Sequence, residues 1–206
     1  MNKQKEIYVK ICGITNVADA QHALKHGAGA IGLVFVEGSV RQLSSTAARE
    51  LVNGLAPTAE TVGVFSDQPL EYVQEVIKTT GIKVAQLHGH ESPDYCRHLP
   101  VPVIKRLTPE QFNRGEARLY QGCQILVDSG AGSGELIDWR AIADSEQDII
   151  LAGGLDCDNV VQVIQGVRPQ GVDVSSGCES ARGIKDHRKM ADFIAIAKQT
   201  ATQLTA

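Results

Sequence analysis

The sequence predicts an α/β fold, a (β/α)8 (TIM) barrel built as a single domain over residues 1–206. Eight short apolar runs alternate strictly with eight helical patterns. Such alternation implies parallel strands joined by crossover helices. Chemically capable residues or glycine turns stand at the C-terminal ends of several runs, where this fold gathers its function. An open, doubly wound sheet is the competitor. Its dinucleotide fingerprint is missing, because GAGSG after the sixth run lacks the third glycine spacing.

The first strand lies in IYVKICGIT, Ile7 to Thr15. Residues two apart share a strand face, so Tyr8, Lys10 and Cys12 point one way and Ile7, Val9 and Ile11 the other. A lysine and a thiol on one face, just before Gly13, suit a strand that delivers chemistry to a barrel mouth. Asn16 caps a helix over residues 17–26, and Gly27 stands where a left-handed C-cap belongs. Ala30 to Val36 is a continuous apolar strand, followed by a helix from Ser45 to Leu55. Thr61 to Phe65 is the third strand, and Pro69 opens a helix to Thr80.

Lys83 to Leu87 is the fourth strand and ends at His88-Gly89; Ser92 and Pro93 start a short helix. Val101 to Lys105 reads as the fifth strand and Pro109 to Leu119 as its helix. Cys123 to Asp128 is the sixth, followed by the loop SGAGSG and a short helix around Trp139. Asp148 to Ala152 ends in Gly153-Gly154, with a helix from Asp158 to Gln165. Gly171 to Ser175 ends in Ser176-Gly177, and Asp186 to Gln199 closes the chain as a helix.

Composition narrows the partners. The net charge of -4 and the lack of long charge runs argue against nucleic acid. Five cysteines with no CxxC pair describe neither a disulfide framework nor a zinc site. No leader-like stretch opens the chain, and no run nears the roughly 20 apolar residues that span a membrane. The expectation is a cytoplasmic protein with no membrane partner, for which a small-molecule substrate carrying negative charge, such as a phosphorylated one, stays possible. The oligomeric state is open, with a monomer favoured.

The glycine turns after the last two strands suit a phosphate, which backbone N–H groups can receive. Cys12 and Asp128 would face each other as base and acid across the mouth, a pairing suited to proton-transfer isomerisation. Lys10, on the thiol's own face, is a candidate for lowering its pKa. Alone, each residue has a plainer reading: a small buried hydrophobe for Cys12, a turn-former for Asp128. His88 and His90 across Gly89 are weak evidence for metal. The other four cysteines read as packing or surface residues.

KICGIT, QLHG, LVD, the GxGSG loop with DW after it, LAGGL and GVDVSSG followed by E, in this order, resemble the phosphoribosylanthranilate isomerase family. The resemblance implies a metal-free, cofactor-free barrel of tryptophan biosynthesis. It would convert N-(5-phosphoribosyl)anthranilate to 1-(2-carboxyphenylamino)-1-deoxyribulose 5-phosphate by an Amadori rearrangement. It implies Cys12 as general base and Asp128 as general acid. Arg41 would hold the anthranilate carboxylate, His88 would line the pocket and Asp173 would face the ribose hydroxyls. Gly153, Gly154, Ser175, Ser176 and Gly177 would cradle the phosphate. The chain departs from the family pattern at Ser39-Val40-Arg41, in Ala131-Gly132-Ser133-Gly134, at Cys157 and in Ser180-Ala181-Arg182-Gly183, where Arg182 is extra.

Two other readings stay open. A ring-closing indole-forming barrel needs a lysine and a glutamate at strand ends; Lys10 and Lys105 are present, but the glutamate is missing. A non-catalytic phosphosugar-binding barrel would keep the cradle without turnover.

Overall fold

The computed structural model describes residues 6–128, 142 and 148–204. Eight parallel strands close into a barrel in chain order: β1 (Tyr8–Ile11), β2 (Ala30–Val34), β3 (Glu60–Phe65), β4 (Val84–Leu87), β5 (Val103–Leu107), β6 (Gln124–Val127), β7 (Ile149–Leu151) and β8 (Gly171–Val174). β8 pairs back onto β1, with Lys10 level with Asp173. Between them run α1 (Val17–Lys25), α2 (Ser45–Asn53), α3 (Leu70–Thr80), α4 (Pro93–Arg97), α5 (Pro109–Asn113) and α6 (Val160–Val167). A small antiparallel hairpin, β9 (Glu179–Ala181) and β10 (Ile184–Lys185), follows β8 and leads into α7 (His187–Leu204). The sixth loop, including residues 131–134 and Trp139, lies outside the described residues.

The caps follow the residue chemistry. The Asn16 side chain accepts from the Asp19 N–H, and Ser92 does the same for Tyr95. Thr108 and Gln111 form a reciprocal capping box at the start of α5. Several expected boundaries move, among them α6, which runs Val160–Val167 and not Asp158 to Gln165, and α7, which runs on to Leu204. The fifth strand starts two residues later than the pattern suggests, because Pro100 and Pro102 cannot donate to a ladder, and it runs on to Leu107. Its helix is not continuous to Leu119: Gly115 turns at φ 75°, and a 3-10 turn, Glu116–Leu119, follows.

Outward side chains, among them Val9, Ile11, Ile125, Val127 and Leu151, pack under the helices in one large core. Inward side chains stack in layers drawn from alternate strands, as the registers of neighbouring strands dictate. Lys10, Val62, Ile104 and Ile150 share one level. Above them come Gly32, Gln86, Leu126 and Asp173, then Cys12, Val64, Arg106 and Ala152. Val34, His88, Asp128 and Ser175 form the rim. The backbone ladder carries these ends, as in Cys12 N to Val174 O at 2.8 Å and Asp128 N to Leu107 O at 3.1 Å.

Candidate active site

A cavity of about 400 Å³ opens at the C-terminal ends of the strands. Cys12, Arg41, His88, Asp128 and Asp173 line it, as do Gly153, Gly154, Ser175 and Ser176. Of the residues expected at the site, only Gly177 stands back from the cavity wall. A side chain at Gly177 would collide with the Leu155 carbonyl, so this glycine lets the loops after β7 and β8 meet.

Lys10 is wholly buried, and its Nζ sits 2.9 Å from Asp173 Oδ1. Burial works against the ammonium, yet Asp173 and Cys12 hold its pKa above the ordinary lysine range. Burial pushes the Cys12 thiol up, and the attraction of Lys10 recovers only part of that rise. The expected lowering by Lys10 is therefore present but outweighed. At rest this is a thiol beside a cation. Gly32 leaves room for both, since a methyl there would lie 2.7 Å from Cys12 Sγ and 3.1 Å from Lys10 Nζ.

On the opposite wall, His88 Nε2 lies 3.2 Å from Asp128 Oδ2, and Gln86 Nε2 lies 3.1 Å from His88 Nδ1. β4 and β6 supply these groups and β5 runs between them. Arg106, on β5, also lines the cavity. His90 points elsewhere, at Asp67, with its side chain 94% exposed. Among the described residues no cluster of three His, Cys, Asp or Glu side chains could hold a metal.

Arg41 leans across the end of β1, where a side chain on Gly13 would strike it. Its Nε and Nη2 donate to the two oxygens of Glu179 at 2.7 and 2.8 Å. Glu179 also accepts from Lys185 Nζ at 3.0 Å and from the Gly183 N–H at 2.9 Å. Burial would raise its pKa, but these donors bring it down to about 2. Lys185 donates as well to the Ser175 carbonyl at 2.8 Å, tying the arginine's partner to the glycine-serine loop. Gly153 and Gly154 take φ values of 95° and 65°, and Asn159 Nδ2 holds the Gly154 carbonyl at 2.9 Å. Arg182, at the hairpin turn, is exposed and reaches the same cavity.

Three features escaped the sequence. Arg106 faces inward only because the fifth strand runs to Leu107. Glu179 follows the motif GVDVSSG as a lone acid, and its arginine lies 138 positions away. Lys105, read as available for chemistry, faces outward instead; its Nζ is 2.7 Å from Glu91 Oε2 and 2.7 Å from the Gly89 carbonyl. The indole-forming reading loses its second lysine.

Residues 9–196 match the family model described as N-(5'phosphoribosyl)anthranilate (PRA) isomerase. The N-(5'-phosphoribosyl)anthranilate isomerase of Pelobacter propionicus is 39% identical, over 97% of this chain and 99% of that protein. That of Nitrosospira multiformis is 42% identical, over 91% and 95%. A crystal structure of monomers generated from the dimeric isomerase of Thermotoga maritima superposes with a TM-score of 0.84, at 36% identity, covering 94% of this chain and 99% of that one. A phosphoribosyl anthranilate isomerase in complex with reduced 1-(o-carboxyphenylamino)-1-deoxyribulose 5-phosphate gives 0.83, with the same identity and coverage. No helix among the described residues is long and apolar enough to cross a membrane.

Proposed function

From the premise that this chain belongs to the N-(5'-phosphoribosyl)anthranilate isomerase family, we propose that it performs its Amadori rearrangement with Cys12 as general base and Asp128 as general acid. The chain is an intramolecular aldose–ketose isomerase of tryptophan biosynthesis.

Asp128 gives its proton to the furanose ring oxygen as the C1′–O4′ bond breaks. The bonding pair stays on oxygen, and the nitrogen lone pair forms a cationic C1′=N bond. That cation acidifies C2′–H. The Cys12 thiolate takes this proton, C1′=C2′ forms, and the C=N pair returns to nitrogen as an enolamine. Proton return to C1′ and loss of the C2′ hydroxyl proton give the ketone. Because burial raises the Cys12 pKa, the thiolate is scarce but strongly basic once formed, with Lys10 beside it as counter-charge.

The observation that supports this assignment best is that the thiol and the carboxyl line one cavity from opposing walls, each on a ladder-held strand end. The phosphate is assigned to Gly153, Gly154, Ser175 and Ser176, with Gly177 allowing the two loops to close together. Arg41 is assigned to the anthranilate carboxylate through Nη1, the nitrogen its Glu179 pairing leaves over. Asp173, neutralised by Lys10, is assigned to the ribose hydroxyls.

The test generates phosphoribosylanthranilate in place and follows loss of its fluorescence on adding the protein. The reading requires catalytic turnover. Binding of the reduced product without turnover would instead mark a phosphosugar-binding barrel.

A further inference from the structure

Among the described residues, two polar atoms under Asp128 are shielded from solvent and have no hydrogen-bond partner: Arg106 Nε, a donor, and Gln86 Oε1, an acceptor. Native interiors rarely leave such groups unpaired. Gln86 is wholly buried and projects from β4; Arg106 projects from the adjacent β5, one layer higher. Both residues line the catalytic cavity. The His88–Asp128 contact spans β5 in the rim layer just above them. Among the described residues Arg106 forms no ion pair; the carboxylate its charge reaches is Glu110, fully exposed on α5, whose pKa it helps to lower. Arg41, by contrast, has its charge matched by Glu179.

A donor and an acceptor that do not satisfy each other suit a third group able to accept and donate. A hydroxyl is such a group. We propose that Arg106, with Gln86 beside it, receives the sugar oxygen that leaves the anomeric carbon when Asp128 protonates it. The inference rests on the isomerase assignment and adds a residue to it.

In the closed sugar this oxygen is an ether and can only accept, which Arg106 Nε–H serves. As C1′–O4′ breaks, the bonding pair moves onto the oxygen and the Asp128 proton follows. The guanidinium stabilises the negative charge that develops before proton transfer is complete, and afterwards stands close to the Asp128 carboxylate. The new hydroxyl then has a hydrogen to donate, and Gln86 Oε1 is the free acceptor. Both contacts gain strength on the way to the opened form, so they lower the barrier instead of merely tightening binding. The cation also sits across the barrel from Cys12, on the side where the leaving oxygen must be.

The experiment compares wild type, Arg106→Met and Arg106→Lys on phosphoribosylanthranilate with hydrogen or deuterium at C2′. Titration with the reduced product checks that each variant keeps its site. Arg106→Met should lower kcat about 100-fold with KM nearly unchanged, the effect of losing one preorganised donor. Ring opening should then limit the rate, so deuteration should leave kcat unaltered. Arg106→Lys should recover about tenfold of the loss, and it carries the test if the methionine variant does not fold. An unchanged kcat, a change in KM alone, or a slow variant with a large deuterium effect would each overturn the assignment. Wild type without turnover would fail the isomerase reading itself, a separate result.

Discussion

Lys10 and Lys105 meet nearly the same environment. They are 0% and 2% exposed, and each places its ammonium on a carboxylate, Asp173 at 2.9 Å and Glu91 at 2.7 Å. They differ in the face of the strand they occupy. Lys10 points into the barrel, one layer below Cys12, with its partner Asp173 lining the cavity. Lys105 points out, where it holds the Gly89 carbonyl and lies under the Tyr120 ring at 5.7 Å. A buried ion pair is thus not in itself a sign of catalysis. Inside the barrel it sets the charge around the thiol proposed as base; outside it fastens the loop after β4 to β5.

The largest expected effect lies on the inner side. Asp128→Asn keeps size and removes the acid, so kcat should fall by several orders of magnitude with the reduced product still bound. Near-normal turnover would remove Asp128 from the mechanism. Lys10→Met comes next, with a fall in kcat of about 100-fold. Its diagnostic is the pH profile. Since the folded Cys12 pKa is raised, the rising limb of activity should stand above the ordinary thiol value. Without Lys10 it should move higher still, and an unmoved limb would break the link between the two residues.

Lys105→Met should do the reverse. Breaking a buried pair by removing one partner costs about 3–5 kcal/mol of stability, read by denaturant midpoint. Its pH profile should match that of wild type, and a shifted profile would erase the distinction drawn here. A smaller effect is expected at the arginine: Arg41→Ala should raise KM about 10- to 100-fold, as loss of a charge-assisted bond does, with kcat changed less.

The weakest effect tests Glu179. Its pKa falls from 4.5 to about 2 on folding, so the stability it contributes is complete above pH 4.5 and is lost as pH drops through 2. Glu179→Gln should flatten the wild-type loss of stability in that window; an identical acid limb in both would count against the Arg41–Glu179–Lys185 cluster.

What could be read from sequence was whatever repeats locally. Alternation in IYVKICG put Lys10 and Cys12 on one face, and alternation in CQILVD put Asp128 inward, because a ladder fixes side-chain direction two residues at a time. The same rule failed on β5. Apolar Val101 drew the strand start too early, although Pro102 removes a donor, and the slip hid Arg106 and left the Lys105 face unassigned. Glu179 was illegible for another reason: its meaning depends on Arg41 and Lys185, and only barrel closure, with β8 against β1, brings these loops together.

The most direct test of the account is kcat for Cys12→Ser beside wild type in the fluorescence assay, with reduced-product binding as the control for an intact site. A hydroxyl of nearly the same size cannot supply the required basicity. Loss of turnover by several orders of magnitude, with binding retained, is the predicted result. Turnover within a few-fold of wild type would contradict Cys12 as the base.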